Sequence, residues 1–214
     1  DDLDVTHIVT MNLLIGKGSQ SESTTLKFGL FGKVFPSAVQ EMIAFCGGGG
    51  LVTTSELLFD EGYGATSAPL SLQKGGAMNL LIPEERIYFG VESQGLAYAK
   101  SHGMNKLPEN FIPQPRPKPL SRNDETTVSP RKHDVAGLIS VPKEGLGYGG
   151  TGFESEDEAY GSAFQITAGA VPAADKEGRK VVGRIMDQDS MAVLARLASL
   201  PTKKGIKGVI PGQN

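Results

Sequence analysis

The chain has no tryptophan, one cysteine and three histidines among 214 residues, and each shortage removes a class of explanation. A lone thiol, Cys46, cannot close an internal disulfide or build a multi-cysteine metal site; at the end of an apolar helical segment it reads as a buried structural thiol. His7, His102 and His133 are scattered, with no two at helical ligand spacing, so neither a metal nor a cofactor is expected. No Gly-x-Ser-x-Gly elbow or paired nucleophile and base is visible. The longest apolar runs, residues 11–15 and 78–82, fall far short of the roughly 20 residues that cross a bilayer, and no transmembrane segment is expected. There is no basic excess either: 21 Lys and Arg against 24 Asp and Glu give a formal net charge of -3. The basic residues are dispersed, so a nucleic-acid partner is not expected. The first residue is Asp and no charged-then-apolar leader follows it, as expected where a targeting segment has been removed or the chain trimmed.

What is present is punctuation. With 28 glycines and 13 prolines, the composition favours short strands joined by turns, and the length suits one domain, residues 1–214, with a sizeable core. Residues 5–15 and 25–30 read as two strands of an opening hairpin, connected by the polar residues 16–23. Over residues 36–46, Val39, Met42, Ile43 and Cys46 recur at helical spacing behind Pro36, and a glycine run at 47–50 ends the helix. Short strands are expected at 57–59, 78–82, 86–91, 135–141, 163–168 and 180–186. A closing helix presents Met191, Val193, Leu194, Leu197 and Leu200, with Asp189 or Ser190 as its cap and Pro201 as its stop.

Three segments interrupt this pattern. Prolines at 108, 113, 115, 117 and 119 favour an extended polyproline strap over residues 108–131, either a plain surface connection or a docking arm. Residues 143–160 form a glycine- and acid-rich loop, and 201–214 a C-terminal extension. Within the loop, GYGGTG at 147–152 satisfies a Gly-x-Gly-x-x-Gly pattern, but the acidic FESEDE that follows would repel a phosphate.

The order of KHDVAGLISV, YGSAFQITAG and GRKVVGRIMDQDSM over residues 132–191 resembles the second half of a cyclophilin. KFGLFGKVFPSAVQEMIAFC is similar, more weakly, to the strand, proline and helix that open that family's fold. The resemblance implies a mainly β protein: a closed eight-stranded antiparallel barrel capped by two α-helices, here with long inserted loops. It also implies a proline-binding groove at identifiable positions. Gly161, Ser162, Phe164 and Ile166 keep the family's groove strand, but Ala163 stands at the glutamine and Gln165 at the second phenylalanine. Ala173, followed by Ala174, takes the tryptophan position, Arg179 falls at or beside the histidine, and Val141 and Pro142 replace Ala-Asn. Aligning SAPLSLQKGGAMNLLIP with the catalytic segment places Ser71 at the arginine and Asn79 at its glutamine; Arg86 is the arginine nearby.

These replacements bear on chemistry. Rotation about an X-Pro bond faces a barrier of about 18–20 kcal/mol, and an isomerase must bind the twisted state better than either planar one. A millionfold acceleration needs roughly 8 kcal/mol of such selectivity. By resemblance it comes from an arginine, amide donors and aromatic walls, and alanines at 163 and 173 supply none of these. The expectation is therefore a noncatalytic cyclophilin-like binding or structural module, with no catalytic residues and no metal. Divergence of this kind resembles outlying plant and algal plastid cyclophilins. It implies a protein partner, as a subunit or assembly factor of a plastid membrane complex, in the thylakoid lumen rather than the stroma. The alternative is a divergent peptidyl-prolyl cis-trans isomerase or chaperone acting on proline-containing peptides.

Overall fold

The computed structural model describes residues 3–16, 18–47, 76–91, 129–143, 162–204 and 209–211. Strands β1 (His7–Ile15) and β2 (Glu22–Leu30) form the expected hairpin, in unbroken antiparallel register from His7 opposite Leu30 to Ile15 opposite Glu22. Their connection is tighter than the sequence suggested, because a 3-10 turn at Gly18–Gln20 lets β2 start at Glu22. Gly16 makes this possible: its φ is 118°, and a Cβ there would meet the Gln20 carbonyl.

Helix α1 (Pro36–Cys46) has the bounds read from its sequence. Pro36 gives up a donor that has no partner in the first turn anyway, and the Gly47 N–H donates to the Ile43 carbonyl at 2.7 Å. Its buried face carries Ala38, Val39, Met42 and Phe45.

The remaining strands of the main sheet are β3 (Gly76–Ile82), β4 (Arg86–Val91), β5 (Leu138–Val141), β6 (Ser162–Thr167) and β7 (Lys180–Ile185). They lie in the order β1-β2-β7-β5-β6-β4-β3, with every neighbouring pair antiparallel. Among the described residues the sheet thus has seven strands rather than the expected closed eight, and its end strands are not hydrogen-bonded to each other. It curves enough that β1 and Gly76 and Met78 of β3 line one cavity of about 700 Å3. A separate hairpin, β8 (Thr202–Lys204) and β9 (Val209–Pro211), occupies what the sequence presented as an extension, with β9 beside β3.

Strand β5 is shorter than expected. Residues 135–137 turn instead of extending, with Gly137 at φ 84°. The Thr167 hydroxyl fixes that turn by donating to the Val135 carbonyl at 2.8 Å while accepting from the Leu138 N–H at 2.9 Å.

One core joins these elements. Phe164 stacks on Phe89 with ring centres 5.5 Å apart and lies 6.1 Å from Phe28, so three strands meet at a fully buried aromatic cluster. Helix α2 (Pro172–Lys176) went unseen in the sequence. Helix α3 (Gln188–Ala198) adds Leu194 and Leu197 to the core that α1 also covers. Its cap is neither Asp189 nor Ser190 but Asp187, whose carboxylate accepts from the Ser190 N–H at 2.7 Å and is thereby held below the usual carboxylate range. Ser190 serves differently: its hydroxyl accepts from the Lys27 N–H at 2.9 Å and ties α3 to β2. Among the described residues no helix is long and apolar enough to cross a membrane. The expected strand at 57–59, residues 108–128 of the Pro-rich strap and residues 144–160 lie outside the described residues.

Candidate functional site

Side chains alternate across a strand, and in β4, β5 and β6 the two faces differ in kind. Ile87, Phe89, Ile139, Val141, Phe164 and Ile166 point into the core. Their neighbours Arg86, Tyr88, Ser140 and Gln165 occupy the opposite face, yet all four are buried as well. Register sets three of these in one row, with Tyr88 opposite Gln165 and Gln165 opposite Ser140. Val181 continues the row on β7.

The row is overlaid by charge. Arg86 and Arg179 lie with their guanidinium carbons 5.4 and 5.7 Å from the centre of the Tyr88 ring, and both arginines are less than a tenth exposed. Such stacking contributes about 0.5–2 kcal/mol apiece, the upper end applying where water is excluded. Arg86 donates from Nη1 and Nη2 to the two Glu177 oxygens, each at 2.9 Å, and Nη1 also approaches Gln165 Oε1 at 3.4 Å. Gln165 Nε2 and Ser140 Oγ, both fully enclosed, have no hydrogen-bond partner among the described residues. Unmet polar groups of this kind are uncommon in folded proteins.

A second polar contact anchors α2 beside this face. His133 Nδ1 lies 2.7 Å from Asp175 Oδ1, the same oxygen accepts from the His133 N–H at 3.2 Å, and the Val171 N–H donates to the His133 carbonyl at 2.7 Å. Burial pulls the imidazole below its ordinary value, against the opposing pull of Asp175. This resembles the oriented half of a catalytic dyad, but His133 Nε2 is buried and meets no hydroxyl or other partner among the described residues. The pair staples a turn to a helix.

The positions singled out from the sequence are distributed as follows. Gln165 and Arg179 come together around Tyr88 and Arg86, and Ala173 and Ala174 sit close in the chain on α2, the first exposed and the second buried. Val141 ends β5 inside the core and Pro142 follows it, half-buried. Phe164 faces the core rather than the polar row, while Ala163 precedes it in β6. Asn79 falls at the irregularity between Met78 and Leu80 where the β3–β4 register shifts. Ser71 lies outside the described residues. Sequence reading passed over Tyr88, Ser140, Asp175 and Glu177. For Tyr88 a signal existed, since the alternation in RIYFGV puts Arg86 and Tyr88 on one side; Glu177 had none, being 91 residues from its partner.

Among the described residues no group of three His, Cys, Asp or Glu side chains is placed to hold a metal ion. Cys46 lines the large cavity with its sulfur 3.7 Å from that of Met42, and burial pushes its thiol up to about 12, which leaves it protonated and a poor nucleophile.

No protein-family model and no curated protein matches the chain. Among solved structures it is similar to a cyclophilin-type peptidyl-prolyl cis-trans isomerase from Cryptosporidium parvum, at 18% identity over 87% of each chain and with a TM-score of 0.45.

Proposed function

We propose that this chain is a noncatalytic cyclophilin-like module that acts by binding protein. The observation that carries the reading is the occupied outer row of β4, β6 and β5, where Arg86 and Arg179 lie over Tyr88 and Arg86 is held by Glu177. A prolyl ring needs an open, apolar seat, and an isomerase needs donors free to follow a twisting amide. Arginines already engaged with a ring and a carboxylate are poorly suited to either task. The motifs that resemble the family also fall, in order, on β5, β6, β7 and α3, which is the arrangement the resemblance implies.

The partner in this reading is a plastid membrane complex, which the chain joins as a subunit or assembly factor in the thylakoid lumen; its support is the sequence resemblance alone. A chromogenic proline-peptide assay tests the noncatalytic part, with turnover expected at the uncatalysed rate. Turnover like that of an ordinary cyclophilin would overturn it. Native sedimentation of a thylakoid extract tests the rest: migration well above monomer size is expected, and migration as a lone chain would refute complex membership.

A second reading, a divergent isomerase, draws on one observation. Arg86 is a buried guanidinium next to Gln165, the kind of group that could stabilise a prolyl nitrogen in the twisted state. If turnover is found, Arg86→Lys should abolish most of it.

A further inference from the structure

Strand β1 ends the main sheet, and its only hydrogen-bonded neighbour among the described strands is β2. Among the described residues its other edge offers main-chain donors and acceptors at every second residue of the nine. Sheet proteins usually guard such an edge with lysine, proline or a bulge. HIVTMNLLI contains no lysine and no proline, and its register with β2 is unbroken. Two large apolar side chains on its outward face are open to solvent, Ile8 at 65% and Leu14 at 76%. Between them Thr10 and Asn12 are exposed and polar.

We propose that two copies of this chain associate through β1, edge to edge and antiparallel, about a two-fold axis passing through Met11. The argument is register. Pairing about Met11 sets Ile8 opposite Leu14 of the second copy, Thr10 opposite Asn12 and Val9 opposite Leu13, so between residues 8 and 14 each side chain meets one of its own kind. Residues directly opposite each other share a face, which excludes any shift by one. A shift by two puts Ile8 opposite Asn12, or Leu14 opposite Thr10, and strands an apolar group in either case. Electrostatics does not oppose the match: β1 carries no acidic or basic side chain apart from His7, which falls opposite Ile15. Asn12 has the right group left over, because its Oδ1 accepts from Thr25 and its amide N–H groups can then donate to the second copy's Thr10.

The cavity supplies the other half of the fit. It is lined by the inward side chains Val9, Met11 and Leu13 together with Met78, Phe89 and Leu197, and it lies between the two end strands. A second β1 in register would bring its own Val9, Met11 and Leu13 toward this cavity. The association is isologous, each copy receiving the strand that it presents.

Sedimentation velocity over a range of concentrations is the test. The wild-type chain is expected to pass from monomer to dimer, and Thr10→Lys with Asn12→Lys to remain monomeric, its dissociation constant raised at least about tenfold by like charges placed opposite each other. Circular dichroism of that exposed double variant should match the wild type. Register is read by cross-linking: Thr10→Cys with Asn12→Cys should give a disulfide-linked dimer under mild oxidation, and Thr10→Cys alone should not. A wild-type chain that stays monomeric at every concentration overturns the proposal. So does a dimer that survives the two lysines, or one that the Thr10→Cys single variant links as well as the double variant, since its surface or register would then be another.

Discussion

Arg86 of β4 and Glu177, just beyond α2, meet through two parallel hydrogen bonds of 2.9 Å, with the arginine side chain 10% exposed and the glutamate 39%. The pair decides the character of the outer row, since it holds one guanidinium carbon 5.4 Å from the centre of the Tyr88 ring. Bidentate geometry fixes a plane as well as a distance, which a lysine could not do.

Removing one partner should therefore cost more than removing both. Glu177→Ala leaves a buried guanidinium short of two acceptors and is expected to lower stability by about 1–3 kcal/mol, with partial exposure of the glutamate keeping it from the higher end of buried pairs. Arg86→Met combined with Glu177→Gln should recover much of the loss. Urea unfolding of the three proteins checks this, and equal destabilisation in both variants would contradict the pairing.

The pH dependence follows from His133. Burial is the largest influence on it and depresses its affinity for a proton; Asp175 and Glu177 act in the other direction, and Arg179 acts with burial. The unfolded chain then takes up a proton at a higher pH than the folded one. Stability from this residue is complete above the ordinary imidazole value of about 6.5 and is lost as pH falls below it toward the folded value. Denaturation midpoints measured between about pH 7.5 and 5.5 should decline, and His133→Gln should flatten that decline.

The bond from Ser190 to Lys27 crosses 163 residues of sequence, and Ser190 is 2% exposed. Ser190→Ala leaves the Lys27 N–H without its acceptor and is expected to cost about 1–2 kcal/mol. Faster hydrogen exchange at the Lys27 amide is the specific sign; unchanged exchange there would mean that water replaces the hydroxyl.

Adjacent residues of β6 should respond unequally. Phe164→Ala opens a hole among Phe28, Phe89 and the core aliphatics and is expected to cost about 3–5 kcal/mol. Gln165→Leu removes a buried amide whose Nε2 has no partner among the described residues and whose Oε1 takes only a long 3.4 Å contact from Arg86 Nη1, a nitrogen that keeps Glu177, so the change should be close to neutral. Thermal unfolding compares them directly, and a large loss from Gln165→Leu would show that the contact from Arg86 to Oε1 carries stability.

Legibility in the sequence tracked the range of the forces involved. Helix α1 was read to the residue because Pro36 and Gly47 mark its ends locally, and β4 because glycine and proline bracket six residues of strand character. The opening hairpin was visible in alternation alone, except that the 3-10 turn shortened its loop. Helix α2, at five residues, is too short to show a period, and the cap of α3 fell on Asp187 because the chain reaches Ser190 from an extended residue rather than from Asp189. At the candidate site, Gln165 and Arg179 were named from resemblance, but nothing along the chain linked them to Tyr88 or Glu177.

The amino-acid sequence by itself determined the opening hairpin, α1 with both its ends, and β4, because backbone preference and side-chain periodicity act within a few residues. Tertiary structure alone decided that Arg86 would meet Glu177, that a row of polar side chains would be enclosed on the face opposite the core, and that β1 would end a sheet with its far edge open among the described strands. Those outcomes depend on strand register and sheet curvature, which are set by contacts between residues far apart in the chain.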